Sequence, residues 1–220
     1  MARFVWACRA RFLILTATVI LGGCVPSDRK ETGAGSWSGI RIVLDPGHGG
    51  RDVGALHDGS PPEKEIVLDI ALRVEPILRR RGATVLLTRR TDDFVSLSRR
   101  ASFSNDNHPT LFVSIHANSC PTAEVNGFEI YYAEDGRERD SVQAANFIQQ
   151  SLKKATEARD RGIRKFNYTV LARTKCPSVL IEVGYLSNPR EASLLSKSSY
   201  RKKAAEGIAD GILAYGKTRL

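Results

Sequence analysis

The chain has 220 residues, of which 42% are hydrophobic, and its formal net charge is +9 at pH 7. This length and apolar content predict one globular domain with a full core that needs no disulfides, which excludes a small disulfide-stapled protein. The basic residues are scattered and form no patch interleaved with aromatic residues, so we expect no nucleic-acid partner.

The first part of the sequence is typical of an export signal. Three arginines precede an apolar stretch over residues 12–21, which is too short to span a bilayer comfortably. The sequence LGGC at residues 21–24 resembles the lipobox of bacterial lipoproteins, in which the cysteine is acylated. For Cys24, the alternative is a spare thiol behind an ordinary signal peptide or a short N-terminal anchor.

These features divide the chain into three parts. We expect a lipoprotein signal peptide over residues 1–23, then the lipidated Cys24 and a polar, aperiodic tether over residues 24–38. Residues 39–220 then form the domain. The sequence therefore predicts an exported protein that its N-terminal lipid anchors to a membrane, facing the periplasm or the cell wall.

The remaining sequence alternates short β-rich runs with stretches of helical periodicity, which is the pattern of an α/β domain. Strands are predicted over residues 40–45, 83–88, 110–116, 127–132, 168–172 and 178–183. Helices are predicted over residues 63–82, 96–104, 141–155 and 204–216. We expect a single domain with a mostly parallel (mixed) twisted sheet of about six strands and helices on both faces. Functional sites of such sheets lie beyond the carboxyl ends of the strands.

A glycine-rich loop with one histidine, LDPGHGG at residues 44–50, directly follows the first predicted strand. It does not match a P-loop, because Ala55 and Leu56 stand where lysine and serine or threonine are needed. It does not match a dinucleotide-binding loop either, because Asp52 occupies the position of the third glycine. The loop therefore predicts an exposed, tightly held His48 at the end of a strand.

A second histidine, His116, ends an apolar run that is typical of an interior strand, and Glu63 opens the first long helix. Two histidines and one glutamate are the ligand set of hydrolytic zinc, with the fourth tetrahedral position left for water. We predict a Zn²⁺ site of His48, Glu63 and His116. The alternatives are hydrogen-bonded scaffold histidines and a helix-terminal acid. His57 in a polar loop and His108 in a turn are the rival ligands, and no strand fixes either of them.

Another ionisable residue, Glu182, follows an apolar strand run in PSVLIEVGYLSN. A carboxylate at this position has to be paired, solvated at the strand end or functional, because burying it alone costs roughly several kcal/mol. A salt-bridged strand-end acid is the alternative to a functional residue. We favour a functional residue, because ionisable groups in such surroundings cluster at active sites.

Four segments in this order resemble the motifs of the zinc-dependent N-acetylmuramoyl-L-alanine amidases: IVLDPGHGGRDVGA, EKEIVLDIA, SIHANS and PSVLIEVGYLSN. Members of this family trim bacterial peptidoglycan during division and sporulation. The resemblance covers about residues 40–217. It implies zinc ligands at His48, Glu63 and His116 and a catalytic glutamate at Glu182. The implied reaction is hydrolysis of the amide bond between N-acetylmuramic acid and L-alanine, for cell-wall remodelling or daughter-cell separation.

The resemblance also extends to TRRTD at residues 88–92, where Arg89 and Asp92 are expected to support the site. Some relatives insert a helix that plugs the zinc until a partner withdraws it. Here predicted elements fill residues 117–181, so we expect no such plug, and we expect no wall-binding module after the catalytic domain. Peptidoglycan or its muropeptide fragments are the expected substrate, and the sequence identifies no activator protein.

Two other functions are compatible with the same features. A zinc peptidase that cuts within the peptide stem would use the same two histidines and one glutamate. A non-catalytic lipoprotein would bind wall glycan without cutting it. All four predicted site residues are present, which favours the enzyme over the binding protein.

Two cysteines, Cys120 and Cys176, lie in the predicted domain. Cys120 follows the strand that carries His116, whereas Cys176 precedes Glu182 by six residues. If these strands run parallel, the cysteines lie beyond the roughly 7 Å between Cα atoms that a disulfide allows. We therefore predict two free thiols.

Overall fold

The computed structural model describes residues 37–220. The predicted signal peptide, Cys24 and most of the predicted tether lie outside these residues. The strands are β1 (Arg41–Pro46), β2 (Thr84–Leu87), β3 (Leu111–Asn118), β4 (Phe128–Tyr132), β5 (Asp160–Lys165) and β6 (Ser178–Tyr185). The helices are α1 (Glu63–Arg80), α2 (Leu97–Asn107), α3 (Glu138–Thr156), α4 (Thr169–Ala172), α5 (Pro189–Leu195) and α6 (Ser198–Gly216). Within this part of the chain, no helix has both the length and the apolar character needed to cross a membrane.

One six-stranded sheet with the order β2-β1-β3-β6-β4-β5 forms the centre of the domain. Strands β1, β2, β3 and β6 run parallel, whereas β4 pairs antiparallel with β6, and β5 pairs parallel with β4. The predicted single α/β domain with a mixed sheet is thus confirmed. Because the four parallel strands end at one edge of the sheet, the residues that follow β1 and β3 meet there.

Both faces of the sheet are buried, because successive side chains of a strand point to opposite faces. In β1, Ile42 and Leu44 pack in a larger core with α1, α3 and α6, whereas Val43 packs in a smaller core with α2 and α4. His116 and Glu182 lie on the same face of the sheet as the smaller core. Each is an even number of residues from a strand residue that belongs to this core. The candidate site therefore lies on this face, at the carboxyl ends of the parallel strands.

The helices agree with the predicted periodicity, but their first and last residues differ from the predicted ones. Helix α1 runs on through Pro76, and the chain turns at Gly82 with a φ of +94°, at the predicted stop. Helix α2 begins where the Ser96 side chain accepts a hydrogen bond from Arg99 N at 3.3 Å. Helices α3 and α6 begin earlier than predicted, and α5 is an addition to the predicted elements, capped by the side chain of Asn188.

The predicted strand over residues 168–172 is wrong, because Thr169–Ala172 is helix α4. Val170 and Leu171 are apolar because they cover the smaller core. The remaining strand is β5, whose sequence DRGIRK has no apolar run because β5 is an edge strand with half-buried and exposed side chains.

Trp37 belongs to the core, although it falls within the predicted tether. Its indole ring is buried against the end of α6, where a Cβ on Gly216 would lie only 2.0 Å from Trp37 Cη2. The Trp37 carbonyl accepts a hydrogen bond from Ile40 N at 3.0 Å, immediately before β1. The chain therefore enters the domain at the sheet edge where the parallel strands begin.

The two cysteines are free, as predicted. Cys120 comes two residues after β3, and Cys176 comes two residues before β6. These strands are parallel neighbours, so one thiol lies where the strands end and the other lies where they begin.

Candidate metal centre

The structure brings His48, Glu63 and His116 together at the carboxyl ends of the parallel strands. His48 follows β1, His116 lies near the end of the neighbouring strand β3, and Glu63 is the first residue of α1. The Glu63 Oε1 atom lies 3.0 Å from His48 Nε2 and 3.1 Å from His116 Nδ1. Among the described residues, these three form the one group of potential metal ligands whose ligand atoms lie within 4.8 Å of one another.

The glycines of the loop allow this close approach. His48 has a φ of 57°, a left-handed conformation that is uncommon for a residue with a side chain. A Cβ on Gly47 would lie 2.2 Å from His116 Cε1, and a Cβ on Gly54 would lie 2.6 Å from Glu63 Oε2. The loop is rich in glycine because its backbone passes directly against the side chains of the candidate ligands.

Arg89 and Asp92 hold this loop, in agreement with the supporting role expected for them. Arg89 donates hydrogen bonds to the carbonyl groups of Pro46 at 3.0 Å and Gly47 at 2.7 Å. Asp92 accepts a hydrogen bond from Gly50 N at 2.8 Å. The loop conformation is therefore fixed by side chains that follow β2.

A buried ion pair behind the loop was not predicted from the sequence. Arg100 of α2 lies 2.7 Å from Asp45 at the end of β1, and both side chains are buried. Thr88 donates a hydrogen bond at 2.6 Å to Asp45 Oδ1, the oxygen that also pairs with Arg100, and Ser114 donates one at 2.8 Å to Oδ2. Arg100 also donates to the carbonyl group of His48 at 2.6 Å, so the pair fixes the backbone of a candidate ligand.

The three side chains fit a zinc ion by their chemistry and spacing. Zinc with ligand bonds of about 2.0–2.1 Å in a tetrahedral arrangement places its ligand atoms about 3.3 Å apart. The two measured nitrogen–oxygen separations, 3.0 and 3.1 Å, are close to this value. In addition, Asp52 Oδ1 lies 2.8 Å from His48 Nδ1, the nitrogen that does not face Glu63. A carboxylate at that nitrogen fixes the tautomer and orientation of a ligating imidazole.

The site favours an ionised carboxylate at Glu63. Burial opposes ionisation, but hydrogen bonds with His116 and His48 outweigh it and hold the pKa of Glu63 well below its ordinary value. Burial lowers the pKa of His48, but its hydrogen bonds with Glu63 and Asp52 raise that pKa above its ordinary value. A divalent cation would replace the protons in this negatively charged group.

Glu182 lies beside these side chains, where β6 pairs with β3. It is the register partner of His116, its side chain is buried, and its Oε2 atom has no hydrogen-bond partner among the described residues. Burial raises the pKa of Glu182 well above its ordinary value, and the nearby negative charges of Glu63 and Glu129 raise it further. The candidate ligands therefore have beside them a buried carboxyl group whose surroundings favour its protonated form.

A further buried carboxylate, Glu129 of β4, was missed in the sequence. Glu129 is the register partner of Glu182 on the other side of β6. It accepts a hydrogen bond from the Tyr185 hydroxyl group and lies 2.9 Å from Arg164 Nε. Its signal in the sequence is an acidic residue inside the apolar run FEIYY, the same kind of signal that Glu182 gives.

The rival histidines lie apart from this group. His108 ends α2 in a left-handed conformation with a φ of 45°. His57 lines a surface depression beside Pro189 and Lys197, and neither rival belongs to the metal-ligand group.

A cavity of about 240 Å³ opens at the candidate ligands. It is lined by His48, His116, Asp52, Phe94, Leu97 and Val170, among others.

Comparison with known proteins decides the family. A model of the N-acetylmuramoyl-L-alanine amidase family matches residues 42–214. The chain belongs to this family. The amidase is 36% identical over 206 residues to the N-acetylmuramoyl-L-alanine amidase LytC of Bacillus subtilis, covering 94% of this chain and 40% of LytC. It is 37% identical over 194 residues to the germination-specific N-acetylmuramoyl-L-alanine amidase of the same organism, covering 81% and 80% of the two chains.

Solved structures agree with this assignment. The catalytic domain of the amidase CwlV from Bacillus (Paenibacillus) polymyxa has a TM-score of 0.76 to this amidase at 40% identity, covering 80% of this chain and 97% of that catalytic domain. The CwlD amidase of Clostridioides difficile, solved in complex with the GerS lipoprotein, has a TM-score of 0.77 at 32% identity, with coverages of 81% and 99%. The enzyme class predicted from the motifs is thereby confirmed.

Proposed function

We propose that this amidase binds zinc through His48, Glu63 and His116 and hydrolyses the amide bond between N-acetylmuramic acid and L-alanine in peptidoglycan. The observation that carries the proposal is the convergence of these three side chains with the unpaired carboxyl group of Glu182. Membership of the amidase family supports this choice of substrate bond.

Each protein group has a definite part in the proposed reaction. When bound, zinc polarises the scissile carbonyl group and makes water acidic enough to attack at neutral pH. Glu182 accepts the proton of the attacking water and returns it to the leaving amine, a role typically worth about 10²–10⁴-fold in rate. Its position suits this role, because Glu182 is the register partner of the candidate ligand His116 and its Oε2 atom has no hydrogen-bond partner among the described residues.

We also propose that the amidase is exported and acts on the cell wall in remodelling or daughter-cell separation. Export is supported by relatives named as cell wall amidases and by the sequence of residues 1–23. The LGGC sequence supports lipid attachment at Cys24, and the residues between Cys24 and Trp37 then tether the domain to a membrane. Fractionation tests the anchor: Cys24→Ala is expected to leave the membrane fraction while keeping its zinc and its turnover on soluble muropeptides.

The reaction is tested by mass spectrometry of a purified muropeptide after incubation with the full chain. Cleavage of the proposed bond releases the intact stem peptide with L-alanine at its amino terminus. Glu182→Gln is expected to keep one zinc ion per chain and to lose about 10²–10⁴-fold in turnover. Glu134→Gln changes an exposed glutamate far from the candidate ligands in sequence and serves as the matched control.

Three outcomes would contradict the proposal. Cleavage inside the stem would make the enzyme a peptidase, and binding without cleavage would make it a wall-binding protein. Full zinc content in His48→Ala and His116→Ala would remove the metal assignment. Cleavage only after addition of a second protein would instead show that an activator is required.

A further inference from the structure

Strand β5 contains an irregularity that aims two arginines at the same face of the sheet. Between two successive pairs with β4, β5 holds one residue more than a regular strand. Gly162 lies in this bulge with a φ of +93°, and a Cβ built there would meet no atom within 4 Å, so backbone conformation alone favours glycine. In a regular strand residues three apart point to opposite faces, but Arg161 and Arg164 both reach Glu129.

Glu129 connects these arginines to the active site. It is the register partner of Glu182, which in turn is the register partner of His116. The Nε atoms of Arg164 and Arg161 lie 2.9 and 3.8 Å from Glu129 Oε2. The two arginines therefore lie on the face that carries the candidate metal ligands, two strands beyond Glu182 and three strands beyond His116.

Arg161 and Arg164 carry more charge than Glu129 neutralises. Two guanidinium groups face one carboxylate, and the other oxygen of that carboxylate already accepts a hydrogen bond from Tyr185. Arg161 is held in place, because its guanidinium carbon lies 5.3 Å from the centroid of the Tyr185 ring. The Arg164 side chain is 51% exposed, so a ligand can reach it from solvent. Guanidinium groups are well suited to bind carboxylates through two parallel hydrogen bonds.

We propose that Arg161 and Arg164 bind a free carboxylate of the peptide stem, an inference that rests on the proposed amidase function. Three strand spacings of about 4.8 Å separate β3 from β5, and the arginines reach back over β4, so they lie about 10 Å from His116. Two extended residues and a carboxyl group span a similar distance of about 10 Å. The stem residue that follows L-alanine therefore places its carboxylate at the two arginines.

The test uses two synthetic muramoyl peptides that differ only at this residue, which carries either a free carboxylate or a carboxamide. The value of kcat/KM is measured for the zinc-loaded full chain, for Arg164→Gln and for the matched control Arg159→Gln. Arg159 is an exposed arginine directly before β5 and makes no ion pair with Glu129 among the described contacts. Zinc content and thermal unfolding of each variant report whether the site remains assembled.

We expect wild type to prefer the carboxylate peptide about tenfold, the value of one charge-assisted hydrogen bond. In Arg164→Gln, kcat/KM should fall about tenfold on the carboxylate peptide and stay unchanged on the carboxamide peptide. Arg159→Gln should keep the wild-type preference for the carboxylate peptide. Equal cleavage of both peptides by wild type, or an equal loss on both in Arg164→Gln, would mean that the arginines only neutralise Glu129 and would overturn the inference.

A binding measurement separates this inference from the proposed reaction. Calorimetric titration of both peptides into Glu182→Gln does not depend on turnover, and we expect the carboxylate peptide to bind about tenfold more tightly. If wild type cleaves neither peptide, the proposed reaction fails, whereas the binding preference still decides the arginine site. Equal binding of the two peptides would overturn the arginine site while leaving the reaction intact.

Discussion

The contact between Gly47 and the ring of His116 leaves no space for a side chain, and we predict that Gly47→Ala destroys the proposed zinc site. The new Cβ would lie 2.2 Å from His116 Cε1 and 2.6 Å from both ring nitrogens. Non-bonded carbon atoms approach to about 3.5–4.0 Å, so the imidazole has to retreat by about 1.3–1.8 Å.

This displacement is large compared with what a metal site tolerates. Ligand distances have to stay within about 0.2 Å of their ideal values, so a retreat of more than about 1 Å takes His116 out of coordination. Changing a residue that only supports a ligand costs about 10–100-fold in affinity, and we expect a loss above about 100-fold here. Overpacking should also cost about 1–3 kcal/mol, which lowers Tm by about 2–12 °C in a chain of this size.

Zinc affinity is measured by competition with a chromophoric chelator, and Tm by calorimetry of the metal-free protein. Gly59→Ala is the control, because Gly59 has a φ of +76° and no atom within 4 Å of its Cβ position. That variant strains the backbone without a clash and should keep its zinc affinity. Binding of zinc by Gly47→Ala as tight as in the wild type would refute the reasoning.

Three further predictions concern the surroundings of the site. Asp52→Asn changes the carboxylate 2.8 Å from His48 Nδ1, so zinc affinity should fall about 10–100-fold in the same competition assay. Arg100→Met leaves Asp45 buried without its ion-pair partner and should cost about 3–5 kcal/mol in denaturant unfolding; an unchanged midpoint would contradict this. Burial raises the pKa of Glu182, so its contribution to stability is present below its unfolded pKa of 4.5 and is lost as pH rises. Metal-free Glu182→Gln should therefore gain stability over metal-free wild type as pH rises above 4.5, and parallel stability curves would argue against it.

The candidate ligands could be predicted because each stands at a recognisable boundary. His48 follows the apolar strand β1, His116 lies near the end of the apolar strand β3, and Glu63 opens an amphipathic helix. Parallel strands bring such boundaries to one edge of the sheet, so chain order and periodicity were enough to place the three residues together.

The supporting contacts could not be predicted in the same way. Asp45 and Glu129 interrupt apolar strands, as Glu182 does, but their partners Arg100 and Arg164 come from distant segments of the chain. A single sequence shows that a buried acid needs a partner without showing which arginine supplies it.

The edge strand β5 could not be predicted from the sequence either. Strand β5 contacts one neighbour only, so its side chains need not be apolar, and its bulge at Gly162 breaks the period of two. The apolar residues Val170 and Leu171 gave the stronger strand signal, although they form a helix over the smaller core.

Trp37 shows that the chain enters the domain at the end of the sheet opposite to the candidate metal ligands. Its ring is locked against Gly216 where β1 begins, whereas His48 follows the point where β1 ends. Six residues of strand separate these two points, which corresponds to about 20 Å. A pulling force applied to the chain before residue 37 therefore acts where β1 begins, at the end of the sheet opposite to the candidate metal ligands.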